Sequence, residues 1–335
     1  MNPARMHVGI DVGKEFLDVC YPDGKKEHVK NIKSCRTKII KKAARLGAIV
    51  SFEATGPYDE DLADECIAHN VKAVRLDAWS TRRYAESQGR IEKTDAIDCE
   101  MIRDYAASLK EEKLHFVKAR TEAHRRLKKA VSLRKNILKA RTLIFNQLEN
   151  AHDADMKRNI NALLETIDKK IVKLEEECDK AIEEDENMSA LARRFLEVKG
   201  VGPCLVRTVL AYCPDIGEFN SKSIAKMFGD APIEHESCTI KLKAKPKRGR
   251  SDLRDAAYMA AVSASRSNHI LSKTYQNLIA KGKPRKVALT AVARHIAVLL
   301  NCIAKHPDFK PEQDPKDKAR AEAPKRARGR PPKNA

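Results

Sequence analysis

The chain has 335 residues, 66 of them Lys or Arg against 47 Asp or Glu, giving a formal net charge of +19. That length supports two or three domains, and so large a positive excess calls for a polyanionic partner, of which nucleic acid is the commonest. No apolar run approaches the roughly 20 residues needed to span a bilayer, and residues 1–12 lack the apolar core of a secretory leader, so the expectation is a cytoplasmic protein with no membrane association.

Residues 1–110 read as α/β. A short apolar strand over 7–11 ends in Asp11, a second strand covers 16–21, and Pro22-Asp23-Gly24 is a turn leading into a third. Residues 46–53 (LGAIVSFE) are almost continuously apolar, as in a strand buried on both faces. Helical spacing over 58–69, a strand over 71–76 and a helix over 95–107 complete a mixed sheet with helices packed on it.

Residues 111–190 contain neither Gly nor Pro and read as wholly helical. The first half is basic, with ten Lys or Arg and one acid between 118 and 141, among them Arg125, Arg126, Lys128 and Lys129. In the second half Ile160, Leu164, Ile167, Ile171, Leu174, Cys178 and Ala181 recur at alternating steps of four and three, the coiled-coil period. An acidic flank over 175–186 keeps this half away from nucleic acid, so its seam pairs with another helix, within the chain or across a dimer. Residues 191–306 are mostly helical, punctuated by Gly and Pro, and from 307 the composition shifts to that of a disordered basic tail. The nine cysteines include no C-x-x-C pair and fit a reducing compartment.

Four acids stand at the ends of predicted elements. Asp11 closes the first strand between Gly9 and Gly13, Glu53 closes the buried strand, and Asp95 and Asp98 share one face at the start of a helix. An acid buried at a strand end is costly unless it is paired or metal-bound. Mg²⁺ suits an all-oxygen set and, in pairs, clamps both oxygens of an in-line phosphoryl displacement. Taken singly, Asp95 is also an N-cap candidate and Asp98 an ordinary first-turn acid.

Val198-Lys199-Gly200-Val201-Gly202-Pro203 resembles a helix–hairpin–helix turn, whose backbone N–H groups grip a phosphate without reading sequence. A plain helix-breaking turn is the simpler alternative. Residues 241–254 hold seven Lys or Arg, among them Lys245, Lys247, Arg248, Arg250 and Arg254, against the single acid Asp252. A hydroxyl or thiol beside such cations is placed to attack a phosphodiester, yet nothing intrinsic separates Ser237 from Thr239, Ser251 or Cys238. In the tail, Arg328-Gly329-Arg330-Pro331 resembles an AT-hook core, which lays arginines along a narrow minor groove; a non-specific basic tail would add the same salt-sensitive affinity. With only 5% aromatic residues, the composition favours grip on duplex backbones over stacking with single strands.

Together these segments resemble the DEDD transposases of bacterial insertion sequences, the family of bridge-RNA-guided recombinases that includes the Piv-type DNA invertases. The resemblance covers about residues 6–305. It rests on Gly9-Ile10-Asp11-Val12, Phe52-Glu53-Ala54-Thr55-Gly56 and Lys93-Thr94-Asp95-Ala96-Ile97-Asp98. The second part is Gly200-Val201-Gly202-Pro203, Phe219-Asn220-Ser221, Phe228-Gly229, Pro232, Ser237, Gly249-Arg250, Leu253-Arg254 and Ala256-Ala257. It implies a RuvC-like, ribonuclease-H-type domain over 1–110, a helical coiled-coil region over 111–190 and a helical transposase domain over 191–306, followed by the tail. It also implies Mg²⁺ held by Asp11, Glu53, Asp95 and Asp98, and Ser237 as a nucleophile forming a phosphoserine link to DNA. The implied partners are donor and target DNA, a bridge non-coding RNA and further copies of the chain, as a dimer or tetramer. The family commonly has Ser-Gly at the nucleophile, where Cys238 follows Ser237 here, and its run corresponding to 241–247 is less basic. Without the resemblance, a RuvC-like junction nuclease using water, or a non-catalytic architectural binder, also accounts for the charge.

Overall fold

The structure, a computed structural model, describes residues 6–54, 56, 58–90, 95–229, 232–237, 240–246 and 249–310; for 95–97 and 232–246 it describes the backbone. The chain divides into two compact units, Met1–Arg120 and Thr121–Ala335.

The first unit contains β1 (His7–Val12), β2 (Phe16–Cys20), β3 (Lys26–Lys30), α1 (Lys33–Arg45), β4 (Ile49–Glu53), α2 (Glu60–Ala68), β5 (Ala73–Leu76), α3 (Ala78–Ser87) and α4 (Asp95–Ser108). All five expected strands are present. They form one sheet in the order β3-β2-β1-β4-β5, in which β1, β4 and β5 run parallel and β2 and β3 are antiparallel.

Period-two alternation along the central strands builds two faces. Val8, Ile10, Val50 and Phe52 pack with Ile39, Ile40 and Ala43 of α1 and Leu62 and Cys66 of α2. On the other face Ile49, Val74 and Leu76 pack with Ile102 and Ala106 of α4. The run 49–52 is buried on both sides, as its lack of alternation requires; Ser51, its one polar member, meets His7 Nδ1 at 2.8 Å.

Helix α4 lies directly on β1 because Gly9 has no side chain. A Cβ there would sit 2.1 Å from the Cys99 carbonyl oxygen and 2.6 Å from the Arg103 nitrogen. Residues 114–121 depart from the expected continuous helix: after a short 3₁₀ turn, Phe116 forms an antiparallel bridge with Val74 and extends the sheet edge.

The second unit opens with α5 (Glu122–Asn150) and α6 (Ala154–Glu183). The seam closes on the chain's own helix: Leu164, Ile171, Leu174, Cys178 and Ala181 are buried, and Ile160 and Ile167 half-buried. Three ion pairs step in opposite directions along the two helices and mark them as antiparallel: Arg126 with Glu184, Arg134 Nε with Glu175 at 2.6 Å, and Arg141 with Asp168 at 2.9 Å. The acidic flank of α6 thus meets the basic side of α5.

There follow α7 (Glu186–Leu196), α8 (Pro203–Tyr212), α9 (Ser221–Phe228), β6 (Pro232–Ser237), β7 (Ile240–Pro246), α10 (Ser251–Ser267), α11 (His269–Ala280) and α12 (Arg285–Lys305). Leu127 of α5 and Cys178 of α6 share one apolar core with Leu205, Leu253, Ala261, Ile296 and Leu300. The β6–β7 hairpin interrupts a stretch expected to be helical. Contrary to the expectation that no apolar run nears membrane-spanning length, α12 is long and apolar enough by length and composition; half of its apolar window is buried in this core.

Substituting Gly9→Ala is expected to force α4 off β1 and cost about 1–3 kcal/mol, in the range of core overpacking. Chemical denaturation monitored by circular dichroism checks this, and an unchanged midpoint would contradict the close contact.

Candidate active site

Parallel strands bring their C-terminal ends to one edge of a sheet, where ligand sites of α/β folds lie. Asp11 is the penultimate residue of β1, and Glu53 is the last of β4. The β1–β4 register pairs Ile10 with Phe52, so the next step places Asp11 beside Glu53 on the face covered by α4. Asp98 lies one residue before Cys99, whose carbonyl rests on Gly9, so the helix–strand contact also delivers this carboxylate to the end of β1.

The electrostatics record the convergence. Burial raises the Glu53 carboxyl above its usual range, a hydrogen bond from Thr81 opposes the rise, and the charges of Asp11, Asp98 and Asp77 add to it. Burial likewise raises the Cys99 thiol to about 12, with Asp18 and Asp11 among the charges contributing. Three of the four expected acids therefore share one environment. Asp95 is the first residue of α4, one turn before Cys99; its side chain, and the Lys93-Thr94 segment before it, lie outside the described residues. Among the described residues no group of three or more His, Cys, Asp or Glu stands ready to hold a metal ion by itself.

Sequence reasoning missed three participants. Asp77 directly follows β5 and N-caps α3, its Oδ2 accepting from the Ser80 nitrogen (3.0 Å) and hydroxyl (2.7 Å). The rule that found Asp11 and Glu53, an acid ending an apolar strand, also fits Asp77. Thr81, 3% exposed in the first turn of α3, carries the hydroxyl that meets Glu53. Asp18 pairs with Asp11 across the β1–β2 ladder and meets His28 Nδ1 at 2.8 Å. The segment after Glu53 is pinned by an ion pair between buried Asp59 and Arg75 of β5, 2.6 Å long.

In the second unit, Ser237 ends β6 and pairs with Ile240 of β7, so it stands at the tip of the hairpin, beside residues 238–239. Its side chain, that of Lys245, and all of Cys238, Thr239, Lys247 and Arg248 lie outside the described residues, as do Arg328, Arg330 and the tail from 311. The Gly200 turn packs on α10: a Cβ at Gly200 (φ 93°) would come 2.4 Å from the Ala264 Cα, and Asn268 Nδ2 donates to the Lys199 carbonyl. Gly200 thus serves helix packing, while Gly202 caps α8 with extended backbone.

Of the expected nucleic-acid contacts on α5, Arg125 pairs with Glu122 at 2.9 Å and Arg126 with Glu184, Lys128 is half-buried and Lys129 exposed. Arg250 and Arg254 are half-buried at the start of α10, Arg250 lying 5.9 Å from the Tyr212 ring centre.

Two family models match the chain. Residues 8–154, containing the carboxylates, match a DEDD transposase model, and residues 192–276, containing the hairpin, match the model of the transposase IS116/IS110/IS902 family. Among curated relatives, a pilin gene-inverting protein of Moraxella lacunata is 23% identical over 318 residues, which are 88% of this chain and 94% of that protein. A pilin gene-inverting protein of Moraxella bovis is 25% identical over 262 residues, 74% of this chain and 77% of that protein. The two models between them take in both the carboxylate edge and the serine hairpin, in that order along the sequence, and the chain belongs to the DEDD transposases of the IS116/IS110/IS902 family, enzymes of DNA recombination.

Proposed function

We propose that this recombinase cuts and rejoins DNA with Mg²⁺ held by Asp11, Glu53, Asp95 and Asp98 and with Ser237 as nucleophile. The observation that carries the reading is the placement of Glu53, half-buried at a strand end within the field of Asp11, Asp98 and Asp77. Like charges so arranged oppose one another's ionisation, and a divalent cation converts that repulsion into attraction. The donor set fits Mg²⁺, which takes oxygen ligands, keeps several waters and is satisfied with one or two carboxylates plus phosphate oxygens. A complete protein cage is therefore not required. When bound, Mg²⁺ supplies charge stabilisation for the phosphorus centre and its attacking and leaving oxygens.

The chain's own residues do the rest. Asp11 and Glu53, fixed by neighbouring strands, would hold the ion beside a scissile phosphate. The Ser237 hydroxyl gives up its proton, its oxygen forms a bond to phosphorus, and the phosphorus–oxygen bond to the deoxyribose breaks as that oxygen takes up a proton. The strand is then held as a phosphoserine ester. Reversal with a different deoxyribose hydroxyl rejoins it and restores the serine, so no external energy source is consumed. The basic stretch around β7, with Lys245, Lys247, Arg248, Arg250 and Arg254, is suited to balance the charge on phosphorus. Arg125, Arg126, Lys128 and Lys129 of α5, the Gly200–Gly202 turn, and Arg328 and Arg330 of the tail are the further contacts to donor and target DNA. A bridge RNA that selects the two DNAs, and assembly as a dimer or tetramer, complete the reading by likeness to the family.

Asp11→Ala is expected to lower recombination by at least about a hundredfold while the fold survives; recombination at the unmodified rate would remove the carboxylates from the mechanism. Ser237→Ala should abolish the covalent protein–DNA adduct captured by denaturing electrophoresis. Strand cleavage that persists in this variant without any adduct would replace serine with water as nucleophile. Thr81→Val should raise the Mg²⁺ concentration needed for half-maximal cleavage several-fold, and Thr81→Ser should restore it, because the loss is of one hydrogen bond to a charged group. An unchanged Mg²⁺ requirement in Thr81→Val would separate Thr81 from Glu53.

A further inference from the structure

Helix α3 has two working faces. Asp77 and Thr81, four residues apart, face Glu53. Trp79 and Arg83, also four apart, occupy the opposite face, with Arg82 beside them. Trp79 is the only tryptophan in the chain, and 49% of its surface is exposed. The Arg83 guanidinium lies 5.0 Å from its ring centre, and the Arg83 and Arg82 side chains are 62% and 40% exposed. Leaving the largest aromatic group half in water forgoes substantial burial, in a chain with only 5% aromatic residues. An arginine over its face sets up a cation–π pair that a third flat group can extend.

We infer that Trp79, backed by Arg83, is a stacking platform for an unpaired DNA base close to the cut, with Arg82 and Arg83 meeting the adjoining phosphates. This rests on the reading that strands are cleaved at Asp11 and Glu53. Three observations favour DNA as the occupant over a second protein. Arg83 lies over the ring, and Arg82 is its neighbour on the same helix. Each pairs with Glu86, at 3.8 and 3.0 Å, in an exposed contact that is weak and that phosphate can displace. The inner face of the same helix grips Glu53, so a base on the outer face lies about one helix diameter, ~10 Å, from the carboxylates. Every base offers a π-face, so such a platform works at any target sequence. Breaking and rejoining strands exposes bases that have lost their stacking neighbours, and a platform there keeps a severed end in place.

Because Trp79 is the sole tryptophan, its emission reports the site directly. The test uses the full-length protein carrying Asp11→Ala, which removes cleavage, and two fluorescein-labelled probes of one sequence: a continuous duplex and the same duplex with a short single-stranded gap. The gapped probe is expected to quench tryptophan emission and to protect it from acrylamide at concentrations where anisotropy shows binding. Trp79→Ala should weaken gapped-probe binding about tenfold, leave continuous-duplex binding within about twofold and keep the melting temperature; Trp79→Phe should recover part of the loss. Bound gapped DNA with unchanged emission, or equal weakening on both probes, would overturn the assignment. So would a tryptophan already shielded from acrylamide without DNA, the mark of a protein–protein contact. Since the readout is binding by a cleavage-dead variant, a failure of the carboxylate mechanism leaves this result intact, and the reverse holds as well.

Discussion

Carboxylates repel one another, and the first unit is organised to hold several of them together regardless. The sheet places Asp11 and Glu53 on adjacent parallel strands, with Asp77 just beyond a third. Such proximity is sustained only because each backbone segment is fixed by something other than the acids. Val8, Ile10, Val50 and Phe52 bury one face under α1 and α2. On the other, α4 is held by Ile102 and Ala106 and by the contact at Gly9. Hydrophobic burial thus supplies the free energy that keeps like charges in register, and the unfavourable electrostatics become a binding potential for a cation and the phosphate that accompanies it.

Hydrogen bonding refines what packing begins. Thr81 hydrogen-bonds the partly desolvated carboxyl group of Glu53, and the turn that carries Thr81 is itself fixed by Asp77 capping through Ser80. The first turn of α3 therefore acts as a brace behind Glu53. The Asp59–Arg75 ion pair fastens the chain on the far side of the same residue. The first of these devices lies at a helix start, where side-chain to backbone bonds decide local geometry, and the second ties a helix start to strand β5.

The strands were legible because burial writes itself into sequence as alternation or as an unbroken apolar run, and 7–11 and 46–53 do both in turn. Helix α1 escaped because Lys and Arg dominate it and its buried face is only Ile39, Ile40 and Ala43 behind a buried Arg36. Helix α3 escaped because its apolar residues are few and its position is set by a cap. The β6–β7 hairpin carried a readable period of two, in Ile240, Leu242 and Ala244 alternating with Lys241, Lys243 and Lys245; the charge of that stretch drew attention away from its spacing. For the site, acids that close strands could be found from sequence, whereas Thr81 and Asp18 depend on which strand lies beside which. The basic character of α5 was legible too, but Arg126, Arg134 and Arg141 meet acids of α6, so much of that charge is spent inside the hairpin of helices.

The serine's place beside a two-residue connection has a consequence for how such a recombinase diversifies. A ribbon of two strands keeps its register through backbone pairing alone, and the shift between Ile233 and His235 shows that this ribbon already accommodates one irregularity. Inserting or deleting a single residue between that bulge and the tip would invert the facing of everything beyond it, whereas changes in pairs would only lengthen or shorten the arm. Length variation among descendants of this chain should therefore be tolerated in even steps there, a parity rule imposed by strand geometry rather than by chemistry.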